Sequence, residues 1–269
     1  MSLIEIQGIS FDYGQGNIFQ DLSFQVDRGE IFCLLGPNGC GKTTLLDCLL
    51  GILKPEVGRI LIDQKDISGL GPRKRARFMS YVPQRHDSTF PYSVLEMAMM
   101  GRAAYTDMFS SPSDRDREIA EDALGQVGIA HLRERPYTQL SGGELQLVML
   151  ARALAQESPI IIMDEPTSHL DFRHELIVLE TITGLVHEKD ISVIIATHFP
   201  NHAFYFEDSL AETRVAMLND GGFLASGRPR EVLNVDNIRK LYRIESNLIS
   251  FIYDNEKEQR RIIPIRTVK

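Results

Sequence analysis

The feature that most constrains this chain is a glycine-rich turn that separates a buried strand from a helix. Residues 31–35 form a continuous apolar run, typical of a strand buried on both faces of a parallel sheet, and residues 44–50 carry helical apolar spacing. The turn between them fits the phosphate-binding pattern G-x-x-x-x-G-K-[ST] with Gly36, Pro37, Asn38, Gly39, Cys40, Gly41, Lys42 and Thr43. A glycine-rich turn without a ligand is one interpretation of these residues, but the flanking strand and helix favour nucleotide binding.

The chemistry of this loop suits a nucleotide with Mg²⁺. Its glycines let backbone N–H groups turn inward around a phosphate, and the following helix adds its N-terminal dipole. The pattern predicts that Lys42 reaches the β- and γ-phosphates and that the Thr43 hydroxyl ligates Mg²⁺. Cys40 has two interpretations: a small residue chosen for packing, or a thiol whose modification inhibits hydrolysis unless ATP shields it.

Apolar runs elsewhere predict an α/β fold. Residues 160–163 and 191–196 are further candidates for buried parallel strands, and helical pattern fills the chain between them. Nearer the N-terminus, residues 3–6, 22–26 and 58–63 have strand character.

The strands disappear from about residue 91 to 157, which predicts a helical insertion within the α/β core. After about residue 228 a short helix and two alternating runs predict a terminal hairpin, with Pro264 on an edge strand. We therefore expect a single domain over residues 1–269, with the C-terminal helix and hairpin at about 228–269. The helical spacing lies at 94–100, 114–127 and 143–155, and the alternating runs lie at 247–253 and 261–265.

The composition limits the function classes. Lys and Arg number 29 against 37 Asp and Glu, and the resulting net charge of −8 argues against a nucleic-acid partner. An odd set of 3 cysteines argues against a secreted disulfide framework. No apolar run approaches the roughly 20 residues of a membrane span, and the N-terminus lacks a signal-peptide pattern. Composition thus predicts a soluble protein of the cytosol.

Polar side chains at strand ends supply the candidate catalytic groups. Asp164 and Glu165 follow a buried strand; Asp164 is predicted to hold Mg²⁺ and Glu165 to polarise the attacking water as general base. An acidic N-cap that opens the next helix is the alternative. His198 follows the strand at 191–196 and is predicted to contact the γ-phosphate, and Gln84 to ligate Mg²⁺ or the water.

Residues 140–144, Leu-Ser-Gly-Gly-Glu, closely resemble the LSGGQ signature of ATP-binding-cassette (ABC) ATPases. Tyr13 matches the aromatic residue that stacks on adenine in that family. The resemblance covers nearly the whole chain. The other family elements occur in order: Gln84 as the Q-loop, Asp164 and Glu165 as Walker B, residues 168–171 as the D-loop and His198 as the switch histidine.

The resemblance implies a P-loop NTPase core with a mostly parallel sheet, an N-terminal antiparallel β subdomain and an inserted α-helical subdomain. It implies a homodimer that binds two ATP molecules, each between the phosphate loop of one copy and the signature of the other. The implied nucleotide contacts are Tyr13, Gly36, Pro37, Asn38, Gly39, Cys40, Gly41, Lys42, Thr43, Thr44, Ser141, Gly142, Gly143 and Glu144. The implied catalytic residues are Lys42, Gln84, Glu165 and His198, and the implied Mg²⁺ ligands are Thr43, Gln84 and Asp164.

The resemblance also implies partners. In the family, the helical subdomain cradles the coupling helix of a membrane permease, so this chain is expected in the cytoplasm, peripheral on the inner face of the cell membrane. Residues 91–102, 168–174 and 225–233 look most like ATPases of bacterial importers for metal chelates. That class moves iron-siderophores, haem, cobalamin and, in close relatives, molybdate or tungstate, and it implies a periplasmic or lipid-anchored substrate-binding protein as an indirect partner. The alternatives are the ATPase of an exporter and a soluble ABC protein without a transport role.

Three features depart from the family pattern. Glu144 stands where Gln is usual, and activity is expected to survive this common variant. His169 fills a D-loop position that is often Ala. The 16 residues between His198 and Val215 are more than is usual, and we interpret them as a longer surface loop rather than as an adaptation near the switch histidine.

Overall fold

The computed structural model describes residues 2–14, 16–84, 90–106, 111–253 and 257–268. The chain divides into two compact units, Met1–Gly69 with Leu185–Lys269, and Leu70–Gly184. The predicted helical segment lies inside the second unit. The boundaries predicted for a single domain stay a prediction.

Strands and helices alternate along much of the chain. In chain order the strands are β1 (Ser2–Asp12), β2 (Asn17–Asp27), β3 (Ile31–Leu35), β4 (Val57–Ile62), β5 (Lys65–Asp66), β6 (Met79–Val82), β7 (Ile160–Asp164), β8 (Ser192–Thr197), β9 (Thr213–Asn219), β10 (Gly222–Gly227), β11 (Ile244–Tyr253) and β12 (Lys257–Thr267). The helices are α1 (Lys42–Leu50), α2 (Pro72–Arg75), α3 (Val94–Met99), α4 (Asp114–Gln126), α5 (Gly142–Ala155), α6 (Phe172–Lys189), α7 (Pro200–Asp208), α8 (Pro229–Val232) and α9 (Val235–Tyr242). Short 3₁₀ turns cover Met100–Ala104, Ala130–Leu132 and Tyr137–Gln139.

The first unit combines antiparallel and parallel strands. One sheet has the antiparallel order β2-β1-β4-β5. In the other, β3 lies between β8 and β9 and is parallel to both, while β10 pairs antiparallel with β9. Every residue of β3 and β8 is buried, as their continuous apolar runs predict. Strands β11 and β12 form an antiparallel hairpin, so the predicted terminal hairpin is present.

The second unit packs helices beside a parallel strand pair. Strands β6 and β7 are parallel, and α3, α4 and α5 contact one another. The buried Arg102 guanidinium lies among these helices; it donates to Asp116 at 2.9 Å, to Glu157 at 2.7 Å and to the Ala155 carbonyl at 2.7 Å. These acceptors offset the desolvation penalty that Arg102 pays on burial, because they replace its lost contacts with water.

The α/β fold class is confirmed, since a sheet rich in parallel strands accompanies antiparallel ones. Element bounds shift slightly from those predicted. Helix α1 begins at Lys42, two residues early, because the loop closes directly into the first helical turn. Helix α3 ends at Met99 and continues as a 3₁₀ turn.

The interpretation of residues 199–214 as a longer surface loop is wrong. Residues Pro200–Asp208 form α7, with proline in its first turn, where a missing N–H costs nothing. Ala203, Phe204 and Phe206 of this helix are buried. The burial of two phenylalanine rings, each worth about 2 kcal/mol or more, explains why the segment folds as a helix.

Among the described residues, no helix is both long and apolar enough to cross a membrane. The longest, α6, has 18 residues and carries charges along its length.

Candidate nucleotide site

The phosphate loop forms a cradle of backbone groups at the end of β3. Gly39 and Gly41 have φ values of 82° and 102°, left-handed conformations that glycine adopts without strain. Gly41 is the N-cap of α1 and, being glycine, it offers no side-chain acceptor to the N–H groups of the first turn. Such N–H groups, together with the helix dipole, fit an anionic phosphate.

Lys42 folds over this cradle. It is only 6% exposed, and its Nζ donates to the Gly36 carbonyl at 2.8 Å and to the Pro37 carbonyl at 3.2 Å. A buried ammonium held at the rim of an N–H cradle complements the charge of a nucleotide triphosphate. The contact between Lys42 and the β- and γ-phosphates stays a prediction.

Cys40 fills space inside the loop. A Cβ added to Gly36 would lie 2.4 Å from the Cys40 sulfur and 2.7 Å from the Leu218 carbonyl oxygen. This contact supports the packing interpretation of Cys40 and explains why position 36 is glycine. The other thiols are poor nucleophiles, because burial raises the pKa of Cys33 strongly and raises that of Cys48 to about 12.

Tyr13 presents an open aromatic surface beside the first turn of α1. Its ring is 58% exposed and packs edge-on against Phe11 at 4.8 Å between centroids. Its hydroxyl lies 3.4 Å from the Thr44 hydroxyl. An exposed ring held next to a phosphate cradle is suited to stacking on a nucleotide base.

His198 leaves the sheet next to the phosphate loop. Thr197, the last residue of β8, pairs in register with Leu35, the last residue of β3. Gly36 and His198 therefore follow adjacent parallel strands at the same level. The His198 ring is half-buried and lies 3.9 Å from the Phe199 ring between centroids.

Two acidic residues and Gln84 share a sheet edge in the second unit. Met163 of β7 pairs in register with Val82 of β6, so Gln84 and the Asp164–Glu165 pair follow the carboxyl ends of adjacent parallel strands. Asp164 is 3% exposed and Glu165 is 5% exposed. The structure brings these predicted residues together from chain segments about eighty residues apart.

Glu165 has an unusual backbone. Its φ of 49° lies in the left-handed region, which costs a non-glycine residue about 1 kcal/mol or more and clusters at functional sites. Its carbonyl accepts the Ser168 N–H at 3.0 Å in a tight turn. The N-cap alternative is wrong for these acids, because the next helix begins only at Phe172 and it is Asp171 Oδ1 that accepts the His174 N–H there, at 2.9 Å.

The signature residues form the start of α5. Ser141 is the N-cap, and its hydroxyl accepts the Glu144 N–H at 3.4 Å. The Glu144 carboxylate accepts the Ser141 N–H at 2.8 Å and the Ser141 hydroxyl at 2.7 Å. These hydrogen bonds, the N–H one foremost, hold the pKa of Glu144 below its usual range, so the side chain is ionised. The S-x-x-E spacing at 141–144 signals this capping box, which our sequence reasoning missed.

Gly143 is required by a close approach of His174. A Cβ at position 143 would lie 2.2 Å from the His174 ring and 2.8 Å from its Cβ, whereas a Cβ at Gly142 would meet nothing within 4 Å. The ring cannot easily turn away, since its Nδ1 is 2.9 Å from Asp171 Oδ1. No local pattern signals this contact, because the two residues are far apart in sequence.

Gly143→Ala is expected to lower the free energy of unfolding by about 1–3 kcal/mol through this overlap. Gly142→Ala is the matched control and is expected to leave stability unchanged or slightly raised, since alanine is the better helix former. Urea unfolding of both variants measures the difference. Equal stability of the two proteins contradicts the steric role of Gly143.

The donor set fits Mg²⁺ bound together with a nucleotide. The described part of the chain contains no group of three or more His, Cys, Asp or Glu side chains that could hold a metal alone. Mg²⁺ in nucleotide sites needs few protein ligands, because phosphates and waters complete its octahedral shell. The exposed Thr43 hydroxyl at the start of α1 and the buried Asp164 carboxylate are ligands of the required kind.

Known proteins resemble this chain along its length. It matches the ABC transporter family over residues 19–168. It is 39% identical over 257 residues to an uncharacterised ABC transporter ATP-binding protein of Haemophilus influenzae, covering 96% of this chain and 95% of that protein. It is 36% identical over 242 residues to the molybdate import ATP-binding protein of the same organism, covering 90% and 88%.

The comparison with a solved structure indicates the same family. The chain superposes on a protein described as a metal-chelate type ABC transporter in an inward-facing conformation, with a TM-score of 0.87, 33% identity and 98% coverage of both chains. The resemblance inferred from the signature and the phosphate loop is thereby confirmed. The chain belongs to the ABC transporter family and is an ATPase of its ATP-binding class.

Proposed function

We propose that this chain is the ATP-hydrolysing motor subunit of a bacterial importer, and that its cargo is a metal chelate or an oxyanion such as molybdate. The observation that carries the proposal is the match, over 98% of both chains, to a metal-chelate type transporter. The similarity to a molybdate import protein supports the oxyanion as the second form of cargo. In this role the chain lies in the cytoplasm, peripheral on the membrane through its permease partner.

One set of residues is assigned to binding the nucleotide and Mg²⁺. The N–H groups of residues 36–44, except at Pro37, which has none, and the Lys42 ammonium bind the phosphates, and Tyr13 stacks on the adenine. Thr43, Asp164 and Gln84 would hold Mg²⁺, which when bound would supply positive charge to the phosphate oxygens.

The reaction itself is assigned to two strand-end residues. Glu165 accepts a proton from the attacking water, and His198 donates a hydrogen bond to the γ-phosphate, where negative charge must be stabilised. Glu165 has a left-handed backbone and lies in a short, tight turn. A turn of this kind holds a general base in one orientation, which reduces the entropy lost on reaching the transition state.

The site is proposed to be complete only in a homodimer. One chain carries one phosphate loop and one signature, so two copies are needed for two full sites. Ser141, Gly142, Gly143 and Glu144 of one copy contact the ATP held by the phosphate loop of the other. Because ATP then lies in the interface, its binding closes the dimer and its hydrolysis reopens it, which drives the permease.

Reconstitution tests the assignment of cargo and direction. The chain is placed in liposomes with the permease with which it co-purifies and with a binding protein, and uptake of haem, a ferric siderophore, cobalamin, molybdate and tungstate is measured with ATP on the cytoplasmic side. We expect ATP-dependent import of one of these compounds and stimulation of ATPase activity by the same compound. ATP-driven efflux favours the exporter alternative instead. ATPase activity that does not respond to any permease favours the soluble alternative.

A further inference from the structure

The helix that follows the switch histidine is attached to the C-terminal hairpin. Asn201, in the first turn of α7, donates from Nδ2 to the Ile262 carbonyl at 3.1 Å, and its Oδ1 accepts the Ile262 N–H at 2.8 Å. Ile262 lies within β12 and is 3% exposed. One amide side chain thus satisfies both main-chain groups of a buried residue, as an added strand would.

The residue that precedes His198 is also held in place by its contacts. Thr197 is fully buried at the end of β8, and its hydroxyl oxygen accepts the Phe199 N–H at 3.1 Å. The same hydroxyl lies 3.4 Å from Nδ1 of the buried His202. His198 therefore stands between a residue anchored in the parallel sheet and a helix turn anchored on the hairpin.

The far end of α7 contacts the hairpin through charges instead. The largely buried Asp208 carboxylate pairs with Arg230 at 3.1 Å and with Arg261 at 2.9 Å. Arg230 also pairs with Glu207 at 3.2 Å. These ion pairs stabilise the same packing, but they lie at the opposite end of the helix from His198. They therefore offer a control for general loss of stability.

We propose that Asn201 is a positioning residue for ATP hydrolysis, and that the C-terminal hairpin is the support through which it acts. By bonding both main-chain groups of Ile262, Asn201 fixes the short segment between β8 and α7. That segment carries His198, so the position of its imidazole relative to the γ-phosphate depends on a contact with Ile262, a hairpin residue more than 60 positions further along the chain. The inference rests on the γ-phosphate role proposed above for His198.

The energetics favour an effect on rate rather than on binding. Most of the phosphate contacts proposed above belong to the loop at residues 36–44, which Asn201 does not touch through any described hydrogen bond. A shift of His198 by about 1 Å removes a contact that matters most in the transition state, and such displacements cost up to about 100-fold in rate. Loss of Asn201 should therefore lower kcat and leave KM for ATP nearly unchanged.

Steady-state ATPase measurements on the full chain test the proposal with Asn201→Ala, Arg230→Met, His198→Ala and the double variant Asn201→Ala with His198→Ala. Rates are divided by the folded fraction measured by circular dichroism. Asn201→Ala is expected to lower kcat about tenfold or more with KM within about twofold. Arg230→Met is expected to lower the Tm and leave kcat per folded molecule unchanged. The double variant is expected to be no slower than His198→Ala, since both changes act through one group.

A graded variant keeps the test valid if Asn201→Ala does not fold. Asn201→Asp retains an acceptor for the Ile262 N–H but lacks the donor for its carbonyl, so kcat should fall between the wild-type and alanine values. An unchanged kcat in either folded variant, or losses that multiply in the double variant, overturns the inference while the proposed function stands. Full activity of His198→Ala overturns the assigned role of His198 and the inference together. Equal losses of kcat in Asn201→Ala and Arg230→Met assign Asn201 a structural role only.

Discussion

Replacing Glu165 with Gln is expected to abolish ATP turnover while ATP binding survives. Gln has the shape of Glu, so the turn that ends in the Ser168 N–H bond and the left-handed backbone at position 165 are retained. The amide oxygen cannot take a proton from water at neutral pH. Since general-base catalysis contributes about 10²–10⁴-fold, kcat should fall by at least about 100-fold.

Phosphate release and nucleotide binding are measured on the same preparation. Retained ATP also holds the two copies together in the proposed sandwich, so the Glu165→Gln variant should elute as a dimer with ATP and as a monomer without it. Glu118→Gln, the same exchange at an exposed position on α4, is the matched control and should hydrolyse ATP normally. Wild-type turnover by the Glu165 variant contradicts the general-base assignment.

Lys42→Ala should affect ATP in a different way from Glu165→Gln, because it should weaken ATP binding itself. Lys42 is buried against the carbonyls of Gly36 and Pro37, and in the proposed complex its ammonium forms charge-assisted hydrogen bonds to phosphate. Removing such bonds from a protected site costs roughly 3 kcal/mol, which corresponds to about 100-fold weaker binding. Isothermal titration with ATP measures the change in affinity.

The control for Lys42 separates binding from folding. Lys54→Ala removes the same charge from an exposed position shortly after α1 and should bind ATP normally. Thermal unfolding without nucleotide then shows whether the two carbonyls left by Lys42 destabilise the loop. If the Lys42 variant is folded and binds ATP with wild-type affinity, the phosphate contact assigned to this residue is wrong.

The parts of the fold that follow local rules could be predicted from sequence. Strands β3, β7 and β8 are continuous apolar runs because both of their faces are covered. The loop after β3 is recognised from its pattern of glycines and lysine. The register that sets His198 beside Gly36 follows from two parallel strands ending at one level. No comparable rule exists for α7, whose apolar residues are interrupted by Asn201 and His202.

The features that the sequence did not predict depend on contacts between residues that are far apart in the chain. Helix α7 is stabilised by a hairpin far along the chain, through Asn201 on Ile262 and Asp208 on Arg261. Gly143 is required by His174, a contact between two separate helices. Propensity and periodicity describe a residue with its near neighbours, so neither can report such contacts.

In the proposed homodimer, the capping box at the start of α5 would affect how fast the closed form can reopen. The Ser141 hydroxyl that the proposed sandwich assigns to a γ-phosphate already donates to the ionised Glu144 carboxylate. Contact with the phosphate therefore exchanges one charge-assisted hydrogen bond for another, and it brings two anions toward a single hydroxyl. For that reason this contact adds little to the free energy that favours closure. If the chain works as the proposed homodimer, a signature with its own internal acceptor would favour short-lived closure and rapid release of the partner copy after each turnover.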